Sequence, residues 1–226
     1  GWADMLFQLK IPYASEEAIA LGSKVMEFID FNAKMRSLML AAEKGAFPNF
    51  AQSIYAEGSL KREKLFQDWD YLKARIQNEG IRNATLTTIA PTGTISMIAD
   101  TSSGIEPQFS LAYVKNVMDG EKLLYVNKYL QQALEEMGIC NEELLKEILT
   151  RGSLTGIAGI PDEIQRVFQT AHEISPEWHI RMQAAFQKYT DNAVSKTINF
   201  PNSATVEEIK SSYELAYQLG CKGVTV

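Results

Sequence analysis

The residue pattern predicts an α/β fold in which helices outnumber strands. Three observations lead there. Apolar residues recur at helical spacing through most of the 226 residues. A β-branched, nearly charge-free run from Ala84 to Ala90 interrupts them and reads as a buried strand. Each late strand-like run is joined to the next by a helical one, which is how parallel α/β units are connected.

The elements follow in order. Ser15, with Glu16 and Glu17 behind it, starts a helix, because a short oxygen side chain and early carboxylates suit orphan N–H groups. Leu21, Val25, Phe28, Met35, Met39 and Ala42 keep its apolar spacing, and Gly45 ends it. A second helix covers Asp68 to Asn78 and closes at Gly80. Ser110 to Val117 reads as a strand, followed by helices over Glu121–Met137, Asn141–Thr150 and Pro161–Ala171. Ser175-Pro176-Glu177 opens another helix, with Ser as N-cap and Pro preset at the first helical position. In it Trp178, Met182, Ala185, Phe186 and Tyr189 form a core stripe. Val194–Phe200 is strand-like, and Thr205-Val206-Glu207-Glu208 matches a capping box that begins the last helix. The chain starts within apolar sequence and stops in the β-branched run Lys222–Val226. It is therefore expected to be a piece of a larger protein, or else a small domain whose last strand pairs inside its own sheet.

Composition narrows the function. An apolar fraction of 46% can bury a sizeable core, which excludes disordered classes. Twenty-two Lys and Arg against 28 Asp and Glu give a net charge of −6, so a general nucleic-acid binder is not expected. No apolar run approaches the roughly 18 residues that cross a bilayer, and nothing resembles a secretory signal. Cys140 and Cys221 form no motif. A reduced, cytoplasmic protein is the plain expectation.

The sharpest chemical feature is Pro91-Thr92-Gly93-Thr94-Ile95-Ser96. It places three hydroxyls around one glycine after a buried strand. If a helix starts at Thr94 or Ile95, its first N–H groups and these hydroxyls could hold a phosphate without any lysine. From spacing alone a capped turn with nothing bound is the commoner reading. Gly104-Ile105-Glu106-Pro107 is the second candidate, its acid set between a flexible glycine and a rigid proline; by itself, a loop acid facing water is the commoner reading. His172 and His179 show no metal-ligand spacing, and Asp191 and Asn192 read as surface or cap groups. Neither cysteine has an evident base beside it, so no catalytic residue and no metal ligand is assigned.

Singly these signals are weak, but their order is specific. Thr87 to Ser96, Gly104 to Pro107, Ser195-Lys196-Thr197-Ile198-Asn199 and Leu219 to Val226 together resemble ribonucleotide reductase, more narrowly its adenosylcobalamin-dependent branch. Gly1-Trp2-Ala3-Asp4 and Gly45 to Phe50 do so too. The resemblance spans residues 1–226 and implies a helix-rich C-terminal segment of a ten-stranded α/β barrel. It implies that Pro91–Ser96 bind the phosphates of a ribonucleotide substrate, that Gly104–Pro107 lie near the same site, and that the partner is the remaining N-terminal part of the reductase. One departure matters. The family's radical cysteine sits in an Asn-x-Cys-x-Glu run, and none occurs here, so the piece should be inactive alone. Such a piece is expected to self-associate through exposed strand edges or to cover them with its helices. The rival readings are a helical interaction module with no nucleotide site, and another cofactor enzyme using the turn for a different phosphate.

Overall fold

A computed structural model describes residues 1–116 and 122–226. Nine α-helices, a short 3-10 helix (Phe50–Gln52) and one two-stranded hairpin are seen among them. Helix α1 (Trp2–Leu9), which the sequence reading left unassigned, packs on the rest through Trp2, Leu6 and Phe7. Helix α2 (Glu16–Lys44) starts at the expected cap: the Ser15 hydroxyl accepts from the Ala18 amide at 3.1 Å. Helix α3 (Trp69–Glu79) is capped by Asp68. Among the described residues no helix is long and apolar enough to cross a membrane.

The buried face of α2 differs from the expected one. Phe28 and Met39 are exposed, whereas Ala18, Met26, Phe31 and Leu38 are buried together with Glu27, Asp30 and Lys34. The charges can go inside because each is answered. Lys34 Nζ meets the carboxylates of Asp30 and, at 2.7 Å, Asp191. Arg62 closes the ring, its Nε 2.6 Å from Asp30 and its Nη2 2.7 Å from Asp191. The Asp191 Oδ2 accepts the Leu86 amide at 2.9 Å. Glu27 accepts the Trp69 indole at 3.0 Å and the Leu65 amide at 2.9 Å. Asp191 is thus a buried junction rather than the surface or cap group expected.

The strand expected at Ala84–Ala90 is absent as a ladder. Only one parallel bridge forms, Ile89 to Val194, and most of the run is exposed. Its backbone bonds go to the 192–195 segment and to the Asp191 side chain instead: Asn192 donates to the Thr87 carbonyl at 3.0 Å and Ser195 to the Ile89 carbonyl at 2.9 Å. Val194–Phe200 likewise carries only that bridge and a parallel one from Thr197 to Thr225. Both are parallel, as the connecting helices imply.

Strands β1 (Ala112–Asn116) and β2 (Lys122–Val126) form an antiparallel hairpin with Tyr113 opposite Tyr125. This corrects the helix expected from Glu121; that residue and Val117 lie outside the described residues. The run before Asn127 is strand because Asn127 is itself the cap of α5 (Lys128–Glu136). Its side chain accepts from the Tyr129 and Leu130 amides at 3.0 and 3.2 Å while its own amide donates to the Leu111 carbonyl. Asn127 is buried, so Asn127→Ala should cost about 1–2 kcal/mol of stability in urea unfolding. A loss below about 0.3 kcal/mol would show that water caps the helix instead.

Helix α6 (Glu142–Arg151) is capped by Asn141. Helix α7 (Asp162–Val167) stops short of the expected Ala171, where Glu173 turns the chain by accepting from the Thr170 amide and hydroxyl. Helix α8 (Pro176–Gln187) begins after Ser175, whose side chain makes no cap bond. Helix α9 (Val206–Gln218) carries the expected capping box between Thr205 and Glu208.

Helix α2 packs between α3 and α8, and α8 in turn against α9. The main core gathers Trp2, Leu38, Trp69, Leu72, Met182, Phe186 and Tyr189. A second core under α5–α7 gathers Leu130, Leu134, Ile148 and Phe168. The expected α8 stripe holds: Met182, Ala185, Phe186 and Tyr189 are buried and Trp178 partly so.

Candidate functional site

The turn at 91–96 leads into α4 (Gly93–Ile98), a helix that starts one residue before the earliest expected position. The left-handed backbone falls on Thr92, at φ 57°, not on Gly93. A β-branched residue there is strained, by an amount of order 1–3 kcal/mol. It is held by its neighbours. The Ser103 hydroxyl donates to the Pro91 carbonyl at 2.6 Å, which leaves Thr92 as the donor in the 3.3 Å bond between the two hydroxyls. The Ser96 hydroxyl donates back to the Gly93 carbonyl at 2.8 Å. Of the three hydroxyls expected to face a ligand, two are therefore turned inward, and Thr94 alone has no partner among the described residues.

The amides are the free groups. Those of Gly93, Thr94 and Ile95 meet no acceptor among the described residues; the first helical bond belongs to Ser96, which donates to the Thr92 carbonyl at 2.9 Å. A Cβ placed on Gly93 would meet nothing within 4 Å. Three unspent donors thus point from open backbone.

The second candidate packs directly behind the first. Gly104 adopts φ +48°, and a Cβ there would lie 3.3 Å from the Ala90 carbonyl oxygen and 3.5 Å from Thr92 Oγ1. Helix α1 fixes this loop: the Asp4 carboxylate accepts from the Ser102 amide at 2.7 Å and the Thr101 hydroxyl at 3.0 Å, and the Trp2 amide donates to the Gly104 carbonyl. Ile105 is buried, its carbonyl accepting from the Tyr13 hydroxyl at 2.8 Å. Burial, and then the Glu106 carboxylate, hold the Tyr13 phenol well above its ordinary value, so it stays a donor.

Glu106 is no free loop acid. Its Oε2 accepts from Lys196 Nζ at 2.6 Å and its Oε1 from the Thr197 amide at 2.7 Å. Lys196 is fully buried and also meets the Thr197 carbonyl and, at 2.7 Å, His179 Nδ1. An ammonium only donates, so Nδ1 is the acceptor and Nε2 carries the proton, donated to the Ala171 carbonyl at 3.0 Å. Burial, then the Lys196 charge, push the imidazole down to about 4. Burial also lowers Lys196, against the pull of Glu106. The sequence reading gave Lys196 no role and weighed His179 only as a metal ligand. Lys196 stood inside the quoted Ser195–Asn199 run, the one signal that could have found it.

Pro107, Thr197 and Asn199 join Glu106 around a cleft of about 670 Å³. Its far wall is the hairpin, where the Tyr113 and Tyr125 rings lie 4.6 Å apart. Ser96 and Met97 bring α4 to its rim, beside Lys128, which bonds Asp100 at 2.6 Å. A cavity of this size accepts a nucleotide-sized molecule. The thiols lie elsewhere: Cys140 packs on the second core, and burial pushes the Cys221 thiol up to about 11.

A family model described as "Ribonucleotide reductase, barrel domain" matches residues 1–226. A vitamin B12-dependent ribonucleoside-diphosphate reductase of Thermoplasma acidophilum is 45% identical over the whole chain, and one of Mycobacterium tuberculosis 40%. A ribonucleoside-diphosphate reductase large subunit of Danio rerio is 32% identical over 88% of the chain. The chain spans 27%, 30% and 26% of the lengths of these three proteins. Among solved structures, the class Id ribonucleotide reductase alpha subunit of Actinobacillus ureae superposes with a TM-score of 0.78 at 26% identity, covering all of this chain and 36% of that one.

Proposed function

Because this chain belongs to the ribonucleotide reductase barrel-domain family, we propose that it is the substrate-phosphate-binding part of a B12-dependent reductase. That enzyme would convert ribonucleotides to deoxyribonucleotides by radical chemistry. In this reading residues 1–226 make one helix-rich, C-terminal segment of a ten-stranded α/β barrel. Pro91, Thr92, Gly93, Thr94, Ile95 and Ser96 hold the phosphates, with Gly104 to Pro107 beside them. The relatives of Thermoplasma acidophilum and Mycobacterium tuberculosis are ribonucleoside-diphosphate reductases, which favours a diphosphate. The remaining N-terminal part of the reductase would cover the exposed Ile95, Met97 and Ile98 of α4.

One observation carries the phosphate assignment: the amides of Gly93, Thr94 and Ile95 are unspent beside open space. Amide hydrogens at a helix start bind an anion without a basic side chain. The strain at Thr92 supports it, since such backbone persists where surrounding contacts force it.

Adenosylcobalamin would belong to the whole polypeptide, where it supplies the radical. The cleft of about 670 Å³ suits a nucleotide and is small for a corrin with its tail. No cofactor contact is assigned to residues of this chain. With no Asn-x-Cys-x-Glu run and a half-buried Cys221 thiol held protonated, this segment binds and orients substrate but does not start the chemistry.

Gly93→Val tests the reading. Gly93 has no positive φ and open space above it, so valine leaves the fold intact and occupies the anion position. In the full-length polypeptide, affinity for a ribonucleoside diphosphate should fall ten- to hundredfold, about 1.4–2.8 kcal/mol. Unchanged affinity, measured by calorimetry, rejects the assignment.

A further inference from the structure

We propose that Glu106 contacts the ligand by accepting a hydrogen bond from a sugar hydroxyl, and that Lys196 and His179 are positioning residues that hold its carboxylate for this. The inference rests on the phosphate reading and concerns the group next along the nucleotide.

Lys196 has no charge to offer a ligand. Its three protons go to Glu106, His179 Nδ1 and the Thr197 carbonyl, and its side chain is completely buried. Burying an ammonium is costly unless it is paired and hydrogen-bonded, so its place in the core is tied to the carboxylate it meets. Glu106, in contrast, keeps 27% of its side chain exposed and borders the cleft. Each of its oxygens takes one protein donor, from Lys196 and the Thr197 amide, out of about four lone-pair sites on the group. Acceptor capacity therefore remains on the cleft side, in a group that cannot swing away.

The ligand class follows from position. Gly104 touches the 90–92 turn, and Glu106 lies two residues further, within about 7 Å of chain. A carboxylate that close to a phosphate cannot bind the phosphate itself; like charges repel. It needs a neutral donor one step away. In a nucleotide the group joined to the phosphate is the pentose, and its donors are hydroxyls.

The test uses the full-length polypeptide and two probes, a ribonucleoside diphosphate and inorganic pyrophosphate. Glu106→Gln should weaken the nucleotide about tenfold and leave pyrophosphate unchanged. Lys196→Met should do the same and also lower the thermal midpoint, because it strands Glu106 against a buried methionine. The double variant Glu106→Gln/Lys196→Met should recover the midpoint but not the nucleotide affinity. Recovery of both, or an equal loss for both probes, or no loss in either single variant, overturns the proposal. Gly93→Val distinguishes the underlying reading: if it spares pyrophosphate binding, the phosphate anchor is wrong, and this placement of the sugar goes with it.

Discussion

Asp191→Ala is expected to destabilise the chain by about 3–5 kcal/mol, enough to lower its thermal midpoint by roughly 6–20 °C. Asp191 stands between two cations, 2.7 Å from Lys34 and 2.7 Å from Arg62, and also holds the Leu86 amide. Removing it leaves two positive charges facing Asp30 alone, one of them on a side chain with no exposure. It also strands a backbone donor that the neighbouring chain cannot satisfy. Asp191→Asn should recover little, since an amide offers the cations no charge. An exposed pair, Arg75 with Glu79, serves as the control whose loss leaves the midpoint unmoved. A shift below 2 °C for Asp191→Ala would mean that water enters the cluster and screens it.

Acidification should unfold the chain through His179. Its folded value lies near 4, below the ordinary 6.5, because it is buried and faces Lys196. Between those two values the unfolded chain takes a proton that the folded one refuses, so stability falls as the pH falls. The contribution is complete above about pH 6.5, and about 3 kcal/mol of it is gone by pH 4. Glu106 across the Lys196 ammonium, the Tyr13 ring, 6.4 Å away, and His172, whose charge also lowers His179, are the other ionisable neighbours. Glu173 contributes in a lower window. Burial raises its carboxyl, but hydrogen bonds from Ser153, Thr155 and Thr170 outweigh that and leave it below 4.5. Its stabilisation is lost only as the pH drops through that lowered value. Urea unfolding at pH 7, 6, 5 and 4 reads the difference, and His179→Gln should flatten the curve above pH 4.5. An equal slope in both proteins would assign the acid sensitivity to carboxylates alone.

Local rules were legible where a few neighbouring residues decide the outcome. Ser15 and the Thr205–Glu208 box cap the helices they were expected to cap, and Asn141 caps the helix expected to begin there. The turn at 91–96 and the loop at 104–107 could each be picked out as candidates. Their contact, with Gly104 against the Ala90 carbonyl, could not, because it depends on how α1 holds the loop through Asp4. The face of α2 was misread for a related reason. Glu27, Asp30 and Lys34 look like solvent-facing charges until partners from the 62–69 and 191 regions are in place. The run Ala84–Ala90 has strand composition, yet its partner segment turns away after one bridge, so propensity was overruled by what lay alongside. The first hairpin strand falls inside the expected strand Ser110–Val117, but the second was taken for helix because Leu123 to Val126 fit either period, and Asn127 was not recognised as a cap. Lys196 and His179 matter through each other, and nothing in spacing links residues 17 positions apart.

The ring of charges around Asp191 also sets an order of events in time. Asp30 and Lys34 are one helical turn apart and meet as soon as α2 forms. Asp191 is 157 positions from Lys34 and 129 from Arg62, so it arrives only after most of the chain has been gathered. Contacts between such distant residues slow the search and are rewarded at its end. The ring therefore behaves as a latch that closes last: Asp191→Ala should quicken opening far more than it delays closing. Stopped-flow unfolding and refolding rates of that variant separate the two.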